Sequence, residues 1–171
     1  MKLLVLGGTV FLGRHLVGAA LGRGHEVTLF NRGRTNAELF PSVERLTGDR
    51  DGGLESLRGR RWDAVVDPSG CVPRVVRQTA ELLRDVGVYV FISSGSVYPL
   101  GSQDRSEDGP VDRMGDPSSE DVEAHYGPLK ALCEEVVTGA SVEASQPSRC
   151  QLRVLACRNT FKATISSPRM V

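Results

Sequence analysis

Tyr126 and Lys130 lie four residues apart in "YGPLK". On a helix, that spacing puts both side chains on one face. An ammonium beside a phenol favours the phenolate, which makes a tyrosine usable as a general acid or base near neutral pH. A second polar stretch, "FISSGSVYP", carries Ser94 three residues before the Val of "SVY". A hydroxyl at the end of a neighbouring strand can hold a substrate oxygen. Together these residues suit hydride transfer to or from a nicotinamide, where a proton and a hydride move in concert. A Tyr-x-x-x-Lys pair alone is also compatible with an ordinary surface pair.

The opening stretch "VLGGTVFLGRHL" can supply the partner site. A strand that runs through Gly7-Gly8-Thr9 into a helix aims unpaired backbone N–H groups at a partly positive helix end, which favours a pyrophosphate. Gly7 permits the tight turn, and Gly13 permits close packing of the helix. The dinucleotide fingerprint has a further glycine where this chain has Val10. The motif therefore reads either as a nucleotide turn or as a tight strand–helix turn, and its place on the first strand of a βαβ unit favours the former.

The second strand ends at Phe30-Asn31-Arg32-Gly33-Arg34, with no acidic residue to accept from ribose hydroxyls. Arg32 and Arg34 can instead pair with a 2′-phosphate, which favours NADP(H) over NAD(H); a solvated basic turn is the alternative. Asp49 is placed to accept from an adenine amino group, or to form the turn in Gly-Asp-Arg-Asp-Gly.

The elements that must position these groups alternate. Strands are expected at Lys2–Leu6, Glu26–Phe30, Val43–Thr47, Ala64–Val66 and Val88–Ile92. Helices are expected at Leu12–Leu21, Pro73–Val86 and Glu123–Val137, with a helical turn at Leu54–Leu57. Pro99–Ser119 is polar and reads as a long loop, of the functional or mobile kind. Strands alternating with helices predict an α/β chain: a Rossmann-like, doubly wound parallel sheet with helices on both faces. Residues 1–138 form the expected dinucleotide-binding domain. Residues 139–171 read as an irregular tail in which Gln151–Ala156 can form a sixth strand. That tail is either a solvated C-terminal segment or a chain that has lost its natural continuation.

Composition narrows the class. The chain has 171 residues, enough for one domain, and 21 basic against 21 acidic residues. Zero net charge gives no electrostatic reason to expect a nucleic-acid or membrane partner. The four cysteines show no metal-ligand spacing, and no metal is expected. Free thiols and the lack of a leader or apolar span point to a reducing, cytoplasmic setting.

"GGTVFLG", "SSGSVY" and "YGPLK" together resemble the short-chain dehydrogenase/reductase superfamily, in its extended or atypical branch of NAD-dependent epimerase/dehydratase proteins. The resemblance covers residues 1–138. It implies that Gly7, Gly8, Thr9, Phe11, Leu12 and Gly13 line a pyrophosphate, that Arg32 stands near the adenosine ribose, and that Asp49 stands near adenine. Pro68, Ser69 and Gly70 would border the cofactor. Ser94 and Tyr126 would be catalytic, and Lys130 would bind the nicotinamide ribose and tune Tyr126. Val10 in place of a glycine resembles the atypical branch, which includes chloroplast stem-loop RNA-binding proteins. Family members continue into a small C-terminal substrate domain, which this chain would lack. The resemblance implies an epimerase, dehydratase or reductase acting on a nucleotide-sugar-like or other small hydroxyl or carbonyl compound. A non-catalytic dinucleotide-binding module and an inactive truncated product are the alternatives. The last would expose a sheet edge and favour homo-oligomers.

Overall fold

In a computed structural model, residues 1–106, 109–142 and 151–155 are described. Among the described residues, six parallel strands form one sheet: β1 (Lys2–Leu6), β2 (Glu26–Asn31), β3 (Glu44–Thr47), β4 (Ala64–Asp67), β5 (Val88–Ile92) and β6 (Gln151–Leu155). Their order is β3-β2-β1-β4-β5-β6. Three helices connect them: α1 (Phe11–Gly22), α2 (Pro73–Leu82) and α3 (Val122–Val142). This is the expected doubly wound arrangement.

Both faces of the sheet are apolar because successive strand residues point to opposite sides. On one side Leu3 and Val5 of β1 join Val27, Leu29 and Val66, and α1 covers them with Val17 and Ala20. On the other, Leu4 and Leu6 join Phe30, Val65, Tyr89 and Phe91. There α2 contributes Val76, and α3 contributes Cys133, Val136 and Val137. The strand order reverses between β1 and β4, so a crevice opens at the carboxyl ends of the strands, where ligands of such sheets bind.

Several boundaries differ from the sequence reading. Helix α2 stops at Leu82 rather than Val86, because a turn intervenes in which Val86 N donates to Leu83 O. Helix α3 runs through residue 138 to Val142, although Thr138, Gly139 and Ser141 are weak helix formers. Residues 151–155 pair with β5 along its full length, from Val88↔Gln151 to Ile92↔Leu155. The sheet therefore continues into the stretch set apart from residue 139 onward. Ala156 and the rest of the tail lie outside the described residues. Among the described residues, no helix is long and apolar enough to cross a membrane.

Candidate dinucleotide cleft and Tyr126 helix

The turn after β1 is built by glycine geometry. Gly7 and Gly8 have φ of +107° and +88°, a region open to glycine and costly for other residues. Gly8 and Gly13 face each other. A Cβ at Gly13 would lie 2.8 Å from Gly8 Cα, and a Cβ at Gly8 would lie 2.8 Å from Leu29 Cδ2. The two glycines thus seat the turn on the core. Val10 needs no such freedom: its φ of −126° and ψ of 142° are ordinary extended values. It occupies the N-cap of α1 without a side-chain cap, and the first turn of α1 holds no acidic residue. The first N–H groups of the helix are therefore left for an anion.

Beside this turn lies a cleft of about 240 Å³. Gly7, Thr9, Val10, Asn31, Arg32, Arg34, Asp49 and Ser69 line it, with Phe30, Gly33, Thr35, Gly48 and Arg50. Two asparagines tie its arginine loop to the glycine turn. Asn31 Nδ2 donates to Gly7 O at 3.0 Å, and Asn36 Nδ2 donates to Thr9 O at 2.8 Å. Gly33 N in turn donates to Asn31 Oδ1 at 2.9 Å, so the carboxamide shapes the loop. Uncapped N–H groups, two loop arginines and a carboxylate around one cleft fit a dinucleotide's phosphates and adenosine.

The remaining expected residues lie outside that cleft lining. Phe11 is 83% exposed with φ of +34°, and Leu12 is 44% exposed. Pro68 and Gly70 flank Ser69 after β4. Ser94 caps a short turn, Gly95–Val97, with its Oγ accepting from Ser96 N at 3.1 Å. Its neighbour Ser93 has a buried Oγ with no hydrogen-bond partner.

Helix α3 is kinked at His125 (φ −130°, ψ 31°), immediately before Tyr126. Tyr126 is 40% exposed, and no hydrogen bond joins it to Lys130 or Ser94. Lys130 is 2% exposed. Its Nζ donates to Gly70 O at 2.8 Å and to Ile92 O at 2.6 Å, and lies 4.1 Å from the Phe91 ring centroid. Burial lowers its pKa below the ordinary lysine value. The structure thus fastens Lys130 to the ends of β4 and β5.

Sequence reasoning passed over three residues that build this region. Gly127 lies in "YGPLK", and a Cβ there would collide with Ser96 O. Its lack of a side chain lets α3 sit on the Ser94–Val97 turn. A glycine inside a helical pattern was the available signal. Arg50 and Asp67 form a bidentate ion pair at 2.8 and 2.7 Å, with Asp67 fully buried. Arg50 and Asp67 are 17 positions apart, and no local spacing rule pairs them; only the fold, which brings the loop after β3 to the end of β4, puts the two groups together.

No protein-family model matches the chain. The fold is a Rossmann-like α/β domain, shared with about half of each of several solved epimerases and dehydratases. The chain is similar to the UDP-Glc/GlcNAc 4-epimerase of Campylobacter jejuni, with a TM-score of 0.70 and 18% identity over 91% of this chain and 52% of that one. It is also similar to a dTDP-glucose 4,6-dehydratase of Bacillus anthracis solved in complex with NAD, with a TM-score of 0.67 and 20% identity over 91% and 54%. In sequence it is 32% identical to the chloroplast stem-loop binding protein of 41 kDa b of Arabidopsis thaliana, covering 57% of this chain and 30% of that protein. The chain thus spans about half the length of these solved structures and under a third of the plant protein.

Proposed function

We propose that the chain binds a nicotinamide dinucleotide and serves an NAD(P)-dependent epimerase, dehydratase or reductase acting on a nucleotide-sugar-like or other small hydroxyl or carbonyl substrate. The observation that carries this reading is the cleft bounded by the glycine turn, Arg32, Arg34 and Asp49. The turn and the uncapped start of α1 would hold the pyrophosphate. Arg32 and Arg34 would pair with a 2′-phosphate, so NADP(H) is preferred over NAD(H). Asp49 would accept from the adenine amino group. When bound, the dinucleotide supplies a hydride acceptor or donor.

Tyr126 Oη would exchange a proton with the substrate oxygen, and Ser94 Oγ would hold that oxygen in place. Lys130 would bind the nicotinamide ribose and favour the phenolate of Tyr126. Gly127 keeps the tyrosine helix against the serine turn. The free thiols of Cys71 and Cys133 are compatible with a reducing, cytoplasmic setting.

A second reading, a dinucleotide-binding module without turnover, is favoured by one observation. Lys130 spends two of its three donors on backbone carbonyls and none on Tyr126. It also agrees with the similarity to a plant stem-loop binding protein.

Fluorescence titration with NADPH and NADH tests the binding. Both should bind, NADPH the tighter; a protein that binds neither refutes the proposal. Turnover of nucleotide sugars then separates the two readings. Under the catalytic reading Tyr126→Phe binds dinucleotide normally and loses turnover. Full activity in that variant removes Tyr126 from the mechanism, and dinucleotide binding without turnover in the wild type favours the second reading.

A further inference from the structure

We propose that Asp67 and Arg50 are positioning residues, a buried ion pair that sets the turn on which both the cleft wall and the Lys130 ammonium rest. Its functional meaning depends on the dinucleotide reading above, although the network itself can be tested without a ligand. Asp67 ends β4. Its Oδ1 accepts from Arg50 Nη1 at 2.8 Å, from Ser69 N at 3.2 Å and from Gly70 N at 3.0 Å. Its Oδ2 accepts from Arg50 Nη2 at 2.7 Å and from Tyr89 Oη at 3.1 Å. Arg50 Nη2 also donates to Thr79 Oγ1 at 2.7 Å on α2. One buried carboxylate thus gathers β4, its following turn, β5 and the loop after β3.

Stability alone is a poor reason for such a pair. Removing two charges from water costs much of what their attraction returns, and an apolar pair of the same shape often serves stability as well or better. What the ion pair adds here is direction. Its acceptors fix two consecutive N–H groups and so the course of residues 67–70.

That turn has two functional sides. Ser69 lines the cleft, and its Oγ donates to Leu6 O at 2.8 Å, tying the turn to β1. Gly70 presents its carbonyl to Lys130 Nζ at 2.8 Å. A Cβ at Gly70 would lie 2.7 Å from Val76 Cγ2 and 2.8 Å from the Phe91 ring, so the turn is hemmed in. Arg50 itself follows Asp49, and both line the cleft. A shift of the ion pair therefore reaches the adenosine side through Asp49 and Ser69, and reaches Lys130 through Gly70.

The chain's lysines number three, Lys2, Lys130 and Lys162, so its lysine ammonium groups can be followed singly. Protein labelled with ¹⁵N-lysine is compared with Lys2→Arg and Lys162→Arg, which leaves the Lys130 signal assigned. The measured variants are Arg50→Lys and Asp67→Asn, checked for folding by circular dichroism. Both should move the Lys130 signal and speed its hydrogen exchange, although Arg50 makes no hydrogen bond to Lys130. Both should also weaken NADPH and NADH binding on the order of tenfold, the scale expected of a misplaced cleft wall.

An unmoved Lys130 signal in the folded variants, even with a lowered Tm, overturns the proposal, because it reduces the pair to a structural role. Where neither variant folds, Tyr89→Phe removes one donor to Asp67 and decides the matter in the same way. A wild-type protein that binds neither NADPH nor NADH defeats the dinucleotide reading, while the lysine signal still decides the network.

Discussion

Lys130 and Gly70 are joined by a 2.8 Å hydrogen bond from ammonium to carbonyl, although 60 residues separate them. A second bond, to Ile92 O at 2.6 Å, makes the lysine a staple between helix α3 and the ends of β4 and β5. The staple has a measurable consequence. Lys130→Met leaves two carbonyls without their donor in a buried place. Relief of the ammonium's burial offsets part of that loss, so urea denaturation should show destabilisation of about 2 kcal/mol. A lysine that served only a bound ligand would leave the ligand-free stability unchanged.

Gly127 sets the distance between α3 and the serine turn. Gly127→Ala should cost about 1–3 kcal/mol, the usual range for an added methyl in a packed contact, despite alanine's better helix propensity. The collision is with the backbone carbonyl of Ser96, which no rotamer can relieve. Thermal melts of Gly127→Ala beside Gly139→Ala provide the check, since a Cβ at Gly139 meets nothing within 4 Å. The control should melt at or slightly above the wild-type temperature.

Arg32 and Arg34 should decide between the two dinucleotides. The double change Arg32→Ala, Arg34→Ala should weaken NADPH binding on the order of tenfold or more, the scale of a lost charge-assisted hydrogen bond. NADH binding should change little. Thermal shift at fixed ligand concentration reads this directly, because a ligand that binds the native state raises Tm by mass action. Equal losses for both dinucleotides would show that the arginines do not face a 2′-phosphate.

Alkaline pH should destabilise the protein through its thiols, the buried Cys133 above all. Burial pushes the Cys133 thiol up to about 12 and raises that of Cys71. A raised native value means that the unfolded chain releases its thiol proton first. The stabilisation is complete below the ordinary thiol pKa of about 9 and is lost as pH climbs towards 12. The Cys133 thiol then costs about 1.4 kcal/mol per pH unit in that window. Lys130 acts with the opposite sign: burial holds its native value below the ordinary lysine value, so its contribution to stability rises with pH up to that ordinary value. Denaturation at pH 8 and pH 10 should show a net loss in the wild type and a smaller one in Cys133→Ala.

Much of this was legible in the chain. Largely apolar runs of three to five residues announced the inner parallel strands, because a strand buried on both faces has no polar side to show; the edge strand Glu44–Thr47 is polar and half-exposed. The glycine turn was equally plain, and Val10 is harmless to it, since that position takes an extended φ that any residue adopts. The length of α3 was less legible, because Thr138, Gly139 and Ser141 weaken the local signal.

The residue types needed for a dinucleotide turn, a basic ribose loop and a Tyr–Lys face are written in sequence, since each depends on neighbours within a few positions. Local spacing places Tyr126 and Lys130 on one helix; it cannot say what else lies nearby. The tertiary structure decided that Lys130 answers to Gly70 and Ile92, that Arg50 meets Asp67, and that Gly127 touches Ser96. These contacts join segments brought together only when the strands pair in the order β3-β2-β1-β4-β5-β6, and a buried charge takes whichever partner that pairing delivers.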